Sequence, residues 1–328
     1  MYCALKLPLI FSAALAVGIA QQPTSDSMAI DPENKPAPGV SLQTPDPLLA
    51  EARSLVRLGT LGRAEEITRQ YLTRHSNSAD GHYLLGYILF RQAKAKESLA
   101  EYTTGAKYRT PSAYDLEVVA SDYVVLKDYM DADKWFTKAV EWNPRDALGW
   151  YYLGRTKYNE NRFEEAVRAF EECLKLEPRN VKAEDNLGLA YAGLARNEEA
   201  KAAYLNAIAW QKEAAVKNAG PFINLGSLLL DENRVQEAIP YLSQACEISP
   251  QDVQAHRELG KAYLHLNQLQ KAEDELQKAI QLAPKDAALH YILAQVYRKE
   301  GWNEKAKLEL DRYAAMTGTH SSPETPEP

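Results

Sequence analysis

The first residues to test for chemistry are His82, His256 and His290, three of the six histidines, because imidazole nitrogens gathered at one level of a fold bind metal. All three fall in the same slot of a spaced pattern, and His256 and His290 stand 34 residues apart. One layer of stacked helices separates such residues by about 10 Å, whereas the ligands of one ion lie within bonds of about 2 Å. Packing histidines are therefore expected, with no metal and no other cofactor. Three carboxylate clusters, Glu164–Glu165, Glu171–Glu172 and Glu273–Asp274–Glu275, could in principle do acid–base work. No convergent partner accompanies them, so a solvated helix face is expected. Cys173 and Cys246 belong to units that are not neighbours, too far apart for a disulfide, and read as buried small apolar residues. The sequence contains no GxxxxGK[ST], HExxH, CxxC or GxSxG. An enzyme is not expected.

The elements that position these side chains are legible in the stretch 147–180, ALGWYYLGRTKYNENRFEEAVRAFEECLKLEPRN. Two amphipathic helical patterns are divided at Asn161 and closed by Pro178, which cannot continue a helix. Trp150, Leu153, Gly154, Asn161, Ala166, Phe170 and Pro178 mark its frame. The same offsets fall on Leu116, Val119, Ala120, Lys127, Ala132, Phe136 and Pro144 one unit earlier. One unit later they fall on Glu184, Leu187, Gly188, Ala195, Ala200 and Tyr204. Small residues such as Gly154 and Ala166 let backbones approach, and Leu153 and Phe170 fill the space beside them. This pattern resembles the tetratricopeptide repeat family, a 34-residue helix–turn–helix unit. The resemblance implies an all-α, right-handed superhelical solenoid.

The spacing extends the pattern to about eight units: 45–78, 79–112, 113–146, 147–180, 181–218, 219–252, 253–286 and 287–320. The first is degenerate, keeping Leu55, Gly59 and Ala64 but carrying Glu51 and Ala52 where Leu-Gly belongs, as terminal units of solenoids do. Leu153 and Leu187 are 34 residues apart, but Leu187 and Leu225 are 38 apart. The extra residues lie near Gln211–Lys217 and amount to about one helical turn, so a longer second helix is expected there, broken at Gly220–Pro221.

The flanks differ in kind. Residues 1–20 have Lys6 followed by an apolar run from Leu7 to Ala20, the form of a secretory signal peptide, or of an anchor where it is not cleaved. Residues 21–44 are polar and proline-rich, a disordered linker, and 321–328 form a tail of the same character. The solenoid is thus assigned to 45–320 and the protein to an exported location, periplasmic or extracellular. Membrane association is expected only through an uncleaved N-terminal segment. The formal net charge of −7, without a basic block, excludes nonspecific nucleic-acid binding.

The family resemblance further implies that first helices line a concave groove. By this frame the groove carries Tyr83, Tyr87, Phe90, Tyr114, Tyr151 and Tyr158 towards one end, and Arg257, Lys261, His265, Tyr291, Arg298 and Lys299 towards the other. A mid-array cluster of Arg155, Asn159, Lys182, Asn186 and Asn224 has the residue types that hold an extended peptide backbone, since an amide both donates and accepts. Tyr151 stands where the carboxylate clamp of chaperone-tail binders has lysine, so that specificity is not expected. Aromatic residues offer contact area and basic residues steer and pair with carboxylates. The expected function is an exported scaffold that binds a protein or peptide segment, with an acidic stretch, in its groove and supports complex assembly. The alternative is a noncatalytic subunit of an envelope enzyme or secretion complex.

Overall fold

The computed structural model describes residues 46–318; the expected leader, linker and tail lie outside the described residues. Among the described residues every regular element is an α-helix, and the helices come in eight successive pairs. They are α1 (Pro47–Arg57) with α2 (Leu61–Arg74), α3 (Ala79–Arg91) with α4 (Ala95–Gly105), α5 (Ala113–Val125) with α6 (Tyr129–Trp142), and α7 (Ala147–Asn159) with α8 (Phe163–Leu176). Then follow α9 (Val181–Gly193) with α10 (Asn197–Trp210), α11 (Gly220–Asp231) with α12 (Val235–Ile248), α13 (Val253–His265) with α14 (Leu269–Leu282), and α15 (Ala287–Lys299) with α16 (Asn303–Thr317). The all-α repeat solenoid expected from the sequence is what is found.

Local chemistry sets the helix ends. Asp46, Ser78, Ser112, Asp146, Asn180, Asp252 and Asp286 each accept a backbone N–H at the start of a first helix. The exception, α11, has no side-chain cap and instead carries Pro221 in its first turn, which the fixed proline φ suits. Inside every pair the chain reverses through one left-handed residue: Gly59, Ala93, Lys127, Asn161, Ala195, Asn233, Asn267 or Gly301. The next residue then donates its N–H to the carbonyl five positions back, as Arg162 does to Lys157 at 2.9 Å and Gln268 to Tyr263 at 2.9 Å. This closes the last turn of each first helix in the same way eight times.

Within a pair the two helices meet over a small residue. A Cβ placed on Gly154 would lie 2.6 Å from the Phe170 ring, and one on Gly188 would lie 2.5 Å from that of Tyr204. Phe170 and Tyr204 are fully buried, and Leu242 and Leu276 repeat the arrangement above Gly226 and Gly260. Each second helix then packs on the first helix of the next pair, so the core is a continuous seam. First helices also meet along the stack, α1 with α3, α3 with α5, α7 with α9, and so on to α13 with α15. Successive second helices show no comparable packing, so the first helices form the inner face.

The four extra residues do not lengthen a helix. α10 spans 14 residues, the length of α8 and α12, and the insertion forms the connection 211–219. Buried Gln211 clamps that loop: its Nε2 donates to the Asn218 carbonyl (3.0 Å), and its Oε1 accepts the Asn218 N–H (2.6 Å). Residues 212–217 are exposed. An added helical turn there would bury nothing, so it gains nothing against the chain entropy of ordering it.

Candidate binding face

The aromatic end of the inner face is core rather than groove wall. Tyr83 is buried, stacked on Tyr102 at 5.7 Å, with the Arg109 guanidinium 5.1 Å from its ring and its hydroxyl donating to the Arg109 carbonyl. Tyr87 is buried between Phe90 (6.3 Å) and Tyr114 (5.9 Å), and its oxygen accepts from Arg91 (3.1 Å). Burial raises the Tyr114 hydroxyl far above its ordinary range. These rings bridge α3 to α4 and α5, a role the repeat spacing alone does not reveal.

The basic end is also altered. Arg257 is buried and pairs with Glu258 (3.1 Å) and Asp286 (3.7 Å); Lys261 pairs with the same Glu258 (3.0 Å). These two cations are therefore matched by two carboxylates on the same face. Lys299 is exposed and donates to the Leu264 carbonyl at 3.4 Å, and Arg298 and Tyr291 are exposed. His265 is exposed at the end of α13.

The middle of the array keeps polar groups at the surface. Tyr151 is half-buried, its ring against Phe170 (6.1 Å) and Tyr152 (5.5 Å), and Arg155 lies 5.8 Å over its face. Among the described residues no ion pair engages Arg155. One turn on, Asn159 is half-buried, and half-buried Tyr158 rests on Phe163 (5.4 Å). Lys182 is exposed on the adjacent first helix α9, where half-buried Asn186 donates to the Lys182 carbonyl (2.8 Å). Helix α7 is held rigidly beneath this cluster, because buried Lys157 pairs with Asp133 (2.7 Å) and Glu165 (3.2 Å).

Asn224 departs from expectation: it is buried and donates to Asp185 Oδ1 (2.9 Å), linking α11 to α9. It is an internal strut, its amide committed inside the fold rather than displayed beside Asn186. Burial pushes the Asp185 carboxyl up to about 7, against the opposing Asn224 bond. Glu117, at the corresponding place on α5, is pushed up to about 9 by burial and by Asp146. The inner face thus carries protonatable carboxyls that the expected aromatic-to-basic gradient omits.

The histidine slot is a hydrogen-bonded clasp. His82, His256 and His290 each set Nδ1 against a second-helix glutamate, Glu101 (2.7 Å), Glu275 (2.6 Å) and Glu309 (2.5 Å). The Nε2 atoms face the carbonyls of Ser76 (2.9 Å), Pro250 (3.1 Å) and Pro284 (3.4 Å) in the preceding turn. Trp150 fills the same slot and donates to the Pro144 carbonyl (3.1 Å). Besides Glu165 on buried Lys157, two more carboxylates expected on a solvated face therefore have partners inside: Glu275, and Glu273, which is buried and accepts from Tyr297 (2.9 Å). Cys173 is buried as expected, but Cys246 is half-buried, its sulfur within 4.8 Å of ligand atoms of His256 and Glu275. Comparing histidine with histidine misses this group, because its members come from α12, α13 and α14. The legible signal is a cysteine ten residues before a slot histidine.

Tetratricopeptide repeat family models match residues 49–113, 147–180, 185–213 and 229–296. Among curated proteins, the chain is similar to the protein O-mannosyl-transferase TMTC3 of Mus musculus, 32% identical over 132 residues, 37% of this chain and 14% of that protein. It is also similar to the peroxisomal targeting signal receptor of Kluyveromyces lactis, 33% identical over 94 residues, 29% of this chain and 17% of that protein. The chain therefore spans under a fifth of the length of either relative. A solved tetratricopeptide repeat protein from Parabacteroides merdae superposes with TM-score 0.62 at 18% identity, covering 76% of this chain and 97% of its own. The Cut9 and Hcn1 assembly of APC/C gives TM-score 0.60 at 19% identity, over 84% of this chain and 53% of the solved one.

Proposed function

Since the chain belongs to the tetratricopeptide repeat family, we propose that it is a noncatalytic interaction scaffold that holds an extended peptide segment against the inner face where α7 meets α9. The observation that carries this is the Tyr151–Arg155 pair with Asn159, Lys182 and Asn186 around it: a ring edge, a guanidinium outside any ion pair among the described residues, and amides at one surface. Arg155 offers a planar fork of donors for a carboxylate of the segment, and the tyrosine ring beneath keeps it extended. The amides suit a peptide backbone. Because the helices are already packed, little ordering cost is added on binding. A relative named as a targeting-signal receptor supports a role in recognising a protein segment.

Export belongs to the same proposal. Its support is the leader-like start of the chain, and the work it would do is to hold partners together at a cell envelope. Fractionation of the native host, with this protein found in the cytoplasm, would remove that part.

The binding site is tested by selecting from a displayed random-peptide library on the full chain and on a folded Arg155→Ala/Asn186→Ala variant. Wild type should enrich peptides that share an acidic residue, and the variant should lose them. Equal enrichment by both proteins rejects this face as the site.

A further inference from the structure

Of the three histidine clasps, one differs from its sisters. Ten residues before each slot histidine, the preceding second helix carries Leu72, Cys246 or Ile280. In two units this neighbour is aliphatic and the clasp is only structural. In the third it is a thiol, half-buried, whose sulfur joins a His256 ring nitrogen and a Glu275 oxygen in one cluster with all three ligand atoms within 4.8 Å.

The surroundings orient these donors as the ligands of a bound ion are oriented. His256 Nε2 faces the Pro250 carbonyl at 3.1 Å, which fixes its N–H there and leaves the Nδ1 lone pair directed at the cluster. Glu275 uses its other oxygen, Oε1, to accept from Lys278 (2.8 Å), so Oε2 is the oxygen turned to His256. Two acceptors, Nδ1 and Oε2, face each other at 2.6 Å and need one positive species between them. In the sister units only a proton can serve. Here a thiol stands beside them, a third ligand once its proton is displaced.

We propose that Cys246, His256 and Glu275 form a binding site for one thiophilic divalent cation of the zinc class. Sulfur, nitrogen and carboxylate oxygen are the ligands that this ion takes, and three protein donors leave the fourth tetrahedral position to water. Binding expels the thiol proton and the proton held between His256 and Glu275, so two protons leave as one dication enters, and the occupied site is neutral. The ligands of a tetrahedral zinc stand about 3.5 Å apart, so the His256–Glu275 contact opens as the ion enters and the sulfur closes in. The ion would tie α12 to α13 and α14, pinning one repeat to the next.

The test uses the reduced full chain in a Cys3→Ser background, titrated with Co²⁺ and then Zn²⁺. One Co²⁺ per chain should give thiolate-to-metal charge-transfer absorption, which Zn²⁺ displaces, and Zn²⁺ uptake should release two protons. Cys246→Ile gives the slot its sister's residue, and Cys246→Ala removes the sulfur without adding volume. Whichever of these folds should lose the absorption and weaken Zn²⁺ binding at least about 100-fold. Cys173→Ala should change neither. The proposal is overturned if wild type shows no such absorption, if the absorption survives loss of Cys246, or if it depends on Cys173.

Discussion

A single ring nitrogen does the same job in four units. Trp150 and the three clasp histidines tie the start of a first helix to the carbonyl of the turn before it, so each fixes how one pair enters the next. The clasp most shielded from water is His290 with Glu309. Removing the imidazole leaves a buried carboxylate with Arg312 as its remaining ion-pair partner. His290→Ala should therefore cost about 2–3 kcal/mol in urea unfolding; a loss within 0.5 kcal/mol of zero would show that the clasp is incidental. Asp122 carries a different cost. It is fully buried on α5, its carboxyl oxygens lack a hydrogen-bond partner among the described residues, and burial pushes it from 3.8 up to about 7. Between those values the native state keeps a proton that the unfolded chain has lost, so wild-type stability falls as pH rises through this window. In the last repeat the same slot holds Val296. Asp122→Val should stabilise by about 3 kcal/mol at pH 8, with the gain shrinking towards pH 4; a gain independent of pH would assign the effect to packing instead. At this scale the sequence revealed the slot but not the partners. The glutamate 19 positions later and the carbonyl six positions earlier meet the ring only through the turn geometry.

Among the elements, the hairpin turn is the most regular feature and the one where the sequence varies most freely. Its left-handed position is glycine at the two ends of the array, asparagine in three units, and alanine or lysine in three others. A left-handed Cβ costs about 1–2 kcal/mol, part of which glycine returns as chain entropy on unfolding. Ala195→Gly and Lys127→Gly should each raise stability by about 0.5–1 kcal/mol in thermal or urea unfolding; a decrease would mean that the turn is not limited by this strain. The reverse holds where glycine lies under a ring. Gly188→Ala must displace Tyr204, already in contact, and should destabilise by about 1–3 kcal/mol. Both features were legible as a period, because glycine, ring and turn recur at fixed offsets. The course of the insertion was not. Counting residues preserves helical phase equally well whether four residues extend a helix or leave it, and only the Gln211 clamp on Asn218 decides between them.

Across the whole array, stability is close to a sum of pair energies and interfaces between neighbours, because each pair touches only those beside it. That is why a one-dimensional pattern sufficed to place the fold. The binding face was harder to read because it depends on which side of a helix a residue is left with after packing. Tyr83, Tyr87 and Asn224 occupy groove positions in the repeat and are consumed by contacts between neighbouring helices, whereas Tyr151, Arg155 and Lys182 remain at the surface. The loop 211–219 separates chain continuity from structural continuity. α10 and α11 remain packed beside it, so the polypeptide can be opened there without opening the stack. A protease that cuts once within the exposed run 212–217 should leave a nicked protein that still elutes at its intact size and falls into two pieces only in denaturant. The molecule is in this sense two modules in tandem joined by a severable strap, and a guest domain spliced into the strap would ride on the side of the array as cargo.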